Sequence, residues 1–243
     1  MSAGQSGTPD DQRVPGTALL DLVSIMDRLR RECPWDARQT HESLAPYLLE
    51  ETYEALEAIE RRELAELCGE LGDVLLQVLF HARVASERTD GTGFDIDDVA
   101  TQIADKLVRR HPHVFADVSV AGADEVLKNW DTIKAEERAA AGDGSSSALD
   151  AVPMAQPALS LAAQLQRRAQ SSGAPASLAD LSADARAEPT ANAAAEPVSE
   201  IGAELFALVA KARAEGIDPE IELRAASRAF RDRVRDWERS TPR

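Results

Sequence analysis

The chain has 243 residues, enough for one large domain or two small ones, and its 44% hydrophobic content with only 4% aromatics makes for a core of Leu, Val, Ile and Ala, which suits packed helices. A formal net charge of −16 sets it against nucleic acid and anionic membrane surfaces, and no apolar run is long enough to span a bilayer. A small phosphorylated ligand remains open to such a chain, provided that cations bridge it or that Lys and Arg cluster locally.

Residues 1–16 are Gly-, Ser-, Pro- and Asp-rich without periodicity and are expected to be disordered, with no apolar signal-peptide core. A first helix is expected from about Ala18 to Arg31, with Leu19, Leu22, Val23, Met26 and Leu29 as its apolar stripe. It breaks at CPWD, where Pro34 cannot continue a helix. Ser43 is a candidate cap for a second helix that tolerates Pro46 in its first turn and runs to about Arg61. Its expected buried side carries Leu48, Thr52, Tyr53, Leu56 and Ile59. Glu50, Glu54 and Glu57 point away from that side, whereas Glu51 falls at its edge beside Leu44, Leu48 and Ala55. A carboxylate at such an edge is partly desolvated and needs a partner.

The third helix, about Glu63 to Ser86, is the most apolar element and implies burial from several sides, in a bundle or by a second subunit. One polar stripe remains on it: Glu66, Glu70, Asp73, Gln77 and His81. Gly69 and Gly72 inside it each cost about 1 kcal/mol relative to Ala, which the close approach of a neighbouring helix or ligand would explain. Asp95 can cap a fourth helix that ends in KLVRRHPH at Pro112, and a fifth is expected from about Asp124 to Ala140. GDGSSS, Gly142 to Ser147, reads as a linker, so that 17–141 forms one helical domain, 142–156 the connection and 157–243 a second. That second domain has helices expected at about 157–170, 197–215 and 219–238, with 171–199 weakly patterned.

The two halves are related. ELGDVLLQVLFHARVA from Glu70 resembles EIGAELFALVAKARAE from Glu200, and each is followed by a matching turn, Gly93-Phe94-Asp95 and Gly216-Ile217-Asp218. In the second copy Ala203 stands for Asp73 and Ala229 for Lys106, and no counterpart of Glu50-Glu51-x-x-Glu54 precedes it. The second half keeps the helices and loses the chemistry.

Residues three apart share a helix face, so Glu51 with Glu54 and Glu70 with Asp73 each offer a carboxylate pair. Packed as a hairpin, the two helices would converge four acids, whose repulsion water or a hard divalent cation can relieve. A set of oxygen ligands without His or Cys suits Mg²⁺ or Mn²⁺. The alternative is a solvated acidic face. Lys106, Arg109, Arg110, His111 and His113 either end a helix favourably for its dipole or bind phosphate, Lys106 and Arg110 sharing a face. Trp130 is either a core anchor or a stacking platform, with Lys134 one turn on. Cys33 and Cys68 form neither a disulfide framework nor a metal finger, and a cytoplasmic location is expected.

CPWDARQTHESLAPYLLEETYEALEAI, ELGDVLLQVLFHA, KLVRRHPHVF and WDTIK together resemble the MazG family of nucleoside triphosphate pyrophosphohydrolases over roughly residues 17–138. The weaker match at 157–238 resembles the second repeat of two-repeat members. The resemblance implies an all-α fold in which two subunits complete helical bundles, and Mg²⁺-dependent hydrolysis of NTPs and dNTPs to NMP and pyrophosphate. It implies Glu51, Glu54, Glu70 and Asp73 as metal ligands, Lys106, Arg109 and Arg110 on phosphates, Trp130 and Lys134 completing the nucleotide site, and Glu50 orienting or deprotonating water. A narrower substrate (dUTP, a damaged dNTP or phosphoribosyl-ATP) or a non-catalytic nucleotide- or partner-binding dimer are the competing readings.

Overall fold

Helix boundaries in the structure, a computed structural model, follow the residues that start and stop helices. It describes residues 16–116, 118–122, 125–126, 129–130, 132–133, 136–137, 147–182 and 198–241. Among these the fold is all-α. Contacts divide the chain into two units, residues 1–126 and 127–243. The expectation of disorder for the N-terminus falls outside the described residues, as do most of the proposed linker and much of the weakly patterned stretch.

In the first unit α1 spans Thr17–Glu32 and stops at Cys33, ahead of Pro34. A short 3₁₀ turn, Asp36–Arg38, leads to α2, His41–Arg61. The cap of α2 is Thr40 rather than Ser43: the Thr40 hydroxyl accepts from the Ser43 amide at 3.2 Å, and the Thr40 amide donates to Ser43 Oγ at 2.9 Å. Pro46 consequently lies inside the helix, in its second turn. Arg62 closes α2 in the left-handed region, φ 61°, and Glu63 precedes α3, Leu64–Ala85. This tight connection folds α2 and α3 into an antiparallel hairpin, the most extensive helix pairing among the described residues. Asp95 caps α4, Ile96–Arg110, by accepting from the Asp97 and Asp98 amides at 2.9 and 3.0 Å. Pro112 opens the short α5, Pro112–Phe115.

Met26, Leu44, Leu79 and Phe80 form the core, with Leu22, Val23, Leu75, Leu76, Val84 and Ile96 packed around them. Each such side chain contributes about 1.5–3 kcal/mol when fully buried. The buried line of α2 is rotated from the expected one: Leu44, Ala55 and Ala58 are buried and Leu48 half-buried, while Thr52, Tyr53 and Ile59 are exposed. Glu51 therefore sits in the middle of this line, not at its edge. On α1, Leu19 and Leu29 remain exposed and Arg30 is buried with Met26. The reason is that α1 makes its main contacts with α3 and the 3₁₀ turn, which cover a narrow strip of it.

The second unit contains α6, Ala158–Ser171, a 3₁₀ turn at Ala176–Ala179, α7, Glu200–Ala214, and α8, Pro219–Ser240. Asp218 caps α8 through the Glu220 and Ile221 amides, as Asp95 caps α4. The internal repeat thus extends from sequence to local structure. The described residues between Glu125 and Glu137 are helical.

Candidate active site

The α2–α3 hairpin builds the site. Its two helices run antiparallel, so the acid pair near the end of α2 meets the acid pair near the start of α3. Glu51, Glu70 and Asp73 each offer a carboxylate oxygen within 4.8 Å of the other two. Glu54 lies near enough for its charge to act on both Glu51 and Glu70. Glu51 and Glu70 are half-buried, Asp73 and Glu54 exposed. Glu50, next in sequence to Glu51, is exposed.

The electrostatics follow from this packing. Burial first, then the charges of Asp73, Glu54, Glu50 and Glu70, push the Glu51 carboxyl above its ordinary value. Burial and the charges of Glu54 and Asp73 push Glu70 up likewise. The charges that act on both groups are carboxylates. Such a cluster is poised to accept positive charge, and a donor set of carboxylate oxygens without His or Cys fits a hard divalent cation.

Further along the same seam the helices place more polar groups. His41 of α2 meets His81 of α3, Nδ1 to Nδ1 at 2.8 Å. The Gln77 Oε1 and His81 Nε2 atoms are buried without a hydrogen-bond partner among the described residues. The polar stripe of α3 therefore faces α2, and Leu64, Leu71 and Val78 are left exposed. Gly69 and Gly72 face open space: a Cβ added at either would meet nothing within 4 Å. No neighbouring helix among the described residues explains them.

Arg30 was not among the expected functional residues. It is 9% exposed, forks onto Glu87 through Nε and Nη2 at 2.9 and 2.8 Å, and donates from Nη1 to the Asp36 and Gln39 carbonyls. It ties the CPWD segment to the end of α3. Trp35 of that segment packs edge-on against Phe80 and Tyr47, ring centroids 6.3 and 6.0 Å apart. Nothing in the helical period of α1 signalled a buried arginine.

Lys106 and Arg110 lie one turn apart on α4, both half-buried, with Arg109 exposed beside them. They are not among the groups that shift Glu51 or Glu70. Trp130 is half-buried in the second unit. Lys134 falls outside the described residues. No helix among the described residues is long and apolar enough to cross a membrane.

Comparison with known proteins adds to this geometry. Residues 39–115, which hold all four clustered acids and the end of α4, match the MazG nucleotide pyrophosphohydrolase domain. The chain is 43% identical over 231 residues to the nucleoside triphosphate pyrophosphohydrolase of Escherichia coli, covering 90% of this chain and 86% of that one. It is 40% identical over 230 residues to the nucleoside triphosphate pyrophosphohydrolase/pyrophosphatase MazG of Thermotoga maritima, covering 92% and 86%. It is also 43% identical over 227 residues to an uncharacterized 26.1 kDa protein of Streptomyces cacaoi, covering 93% and 85%.

Proposed function

The chain belongs to the MazG family of nucleoside triphosphate pyrophosphohydrolases, and we propose that residues 17–141 carry the reaction, hydrolysing NTPs and dNTPs between the α- and β-phosphates to NMP and pyrophosphate. The observation that supports this most is the convergence of Glu51, Glu70 and Asp73 within 4.8 Å. With Glu54 they would hold Mg²⁺, or Mn²⁺ in its place. Bound there, the ion would offset the negative charge of the carboxylates and of the triphosphate.

The chain's own groups do the remaining work. Lys106 and Arg110, with Arg109 beside them, grip phosphate oxygens and stabilise the charge that grows on the departing pyrophosphate; the planar guanidinium of Arg110 can fork onto two oxygens. Glu50 orients the attacking water or takes its proton. Trp130 and Lys134 are the candidates for stacking on the base and for a further phosphate contact.

We assign 17–141 as the catalytic domain, 142–156 as a linker and 157–243 as a degenerate repeat, on the loss of the acids and the lysine from the second copy. Two copies of the chain form the enzyme in this reading. The exposed Leu64, Leu71 and Val78 of α3 support it, as do Gly69 and Gly72, whose open space a second copy or the substrate would occupy. Free cysteines Cys33 and Cys68 accord with a cytoplasmic enzyme.

The test is product analysis with the full chain, Mg²⁺ and a panel of NTPs and dNTPs. Equimolar NMP and pyrophosphate are expected, and orthophosphate as the first product would overturn the cleavage position. A chain ending near Ala141 should retain activity; a soluble, dimeric but inactive product would move part of the site into residues 142–243.

A further inference from the structure

The second unit departs from the first at one point of the repeat with a structural consequence. In the Glu70/Glu200 alignment Phe80, 3% exposed in the core of the first unit, is matched by Ala210. Trp35, which packs on Phe80, has no aromatic counterpart in the segment Ser172 to Ser182 that follows α6. Where the first unit is filled by these rings, the second holds a cavity of ≈ 720 Å³ lined by Ala210, Phe206, Leu165, Leu149 and Leu178. That size matches sites that enclose small organic ligands.

Among the described residues, one charged group lines this apolar space. Arg213 is the repeat counterpart of Arg83. Arg83 is ion-paired with Asp27 and Glu87 at 3.0 Å each. Arg213, in contrast, donates only to amide oxygens, Gln166 Oε1 at 3.3 Å and Gln170 Oε1 at 3.1 Å, and no carboxylate pairs with it among the described residues. Gln166 is itself 6% exposed and fixed by donating from Nε2 to the Phe206 carbonyl at 2.8 Å. Burial and the neighbouring Arg167 charge both disfavour the Arg213 cation and hold its pKa below the ordinary value. A half-buried guanidinium, held in place by two neutral amides and repelled by a second cation, lacks an anion.

We propose that this cavity binds a small amphipathic acid, its flat apolar body filling the space vacated by Phe80 and Trp35 and its single anionic group on the Arg213 fork. The site needs no metal, because the second repeat carries Ala203 in place of Asp73. It is separate from the catalytic reading of the first unit and stands or falls independently of it.

The experiment titrates the full-length, ¹⁵N-labelled protein with 2-naphthoate, 2-naphthyl phosphate and the uncharged 2-naphthalenemethanol. The acids are expected to bind at least tenfold more tightly than the alcohol and to shift the amide resonances of Phe206, Ala210 and Arg213. Tighter binding of the phosphate assigns a phosphate ester as the natural head group; tighter binding of the naphthoate assigns a carboxylate. Arg213→Gln should reduce both acids to the alcohol's affinity, and Ala210→Phe should abolish binding of all three. Equal affinity of acid and alcohol for the wild type, no binding of either, or acid binding unchanged in Arg213→Gln would each overturn the proposal. The Arg213→Gln comparison decides alone should Ala210→Phe fail to fold.

Discussion

His41 and His81 face each other across the α2–α3 hairpin with Nδ1 atoms 2.8 Å apart and ring planes 1° from parallel. In this contact one ring donates and the other accepts. The contact also fixes the register of the hairpin: ten residues on from His41 and ten back from His81, Glu51 comes opposite the turn of α3 that carries Glu70 and Asp73.

Burial, then the neighbouring His41, lower the His81 pKa from its ordinary value of 6.5. The unfolded chain therefore takes up a proton at higher pH than the folded one. The stability this site contributes is present above about pH 6.5 and is lost as pH falls through the depressed folded value. Urea unfolding between pH 7.5 and 5.5 should show a loss of stability that His81→Gln flattens. An unchanged slope in the variant would show that His81 does not contribute to the pH dependence in this range.

Asp73→Asn and Glu54→Gln each remove an anionic ligand from an exposed position. Turnover should fall about 100-fold or more at saturating Mg²⁺, with helicity by circular dichroism unchanged. Near-normal turnover in both would dismiss the four-carboxylate site.

Glu51→Gln should separate stability from function. The raised carboxyl of Glu51 means that stability is fully present below its unfolded pKa and is lost as pH rises through the folded one. At neutral pH without metal the variant should therefore melt at a higher temperature than the wild type, and the gain should vanish near pH 4.5, the ordinary value of this carboxyl. Adding Mg²⁺ should raise the melting temperature of the wild type more than that of the variant, and the variant should be inactive. A variant that gains as much from Mg²⁺ as the wild type would remove Glu51 from the ligand set.

Arg110→Ala should lower turnover at saturating NTP by about 100-fold, and Lys106→Ala by less, with metal affinity unaffected in both. Arg110→Lys should not restore the full rate, because an ammonium cannot grip two oxygens in one plane. Wild-type kinetics in both alanine variants would reduce KLVRRH to a favourable helix end.

Arg30→Ala should destabilise the protein by about 2–3 kcal/mol, since it removes a charged fork and two carbonyl partners at once. Arg30→Lys should recover only part of this, for lack of a second parallel donor. Urea denaturation measures both, and a loss under 0.5 kcal/mol would show that the CPWD segment holds its place without the arginine.

Much of this protein was legible locally. Asp95 as a cap, Pro34 and Pro112 as stops, and the paired acids of α2 and α3 were read from single stretches, because capping, proline sterics and the three-residue repeat of a helix face act within one or two turns. The resemblance in CPWD, EExxE, ELGD and KLVRRH carried the family and the enzyme class, and the relatives bear that out. Other features depended on which elements meet. The same apolar α3 could have turned either face inward; antiparallel packing on α2 turned Gln77 and His81 inward and left Leu71 and Val78 outside. Glu51 moved from the edge of the buried line to its middle because α2 is contacted along Leu44, Ala55 and Ala58 and not along Tyr53 and Ile59. Arg30 is buried because Glu87, fifty-seven residues away, comes to meet it. The replacement of Phe80 by Ala210 was visible in the aligned repeat. That it left a cavity beside an arginine without a carboxylate was decided only by three-dimensional packing, because the volume lost with one ring can be refilled by neighbours distant in sequence.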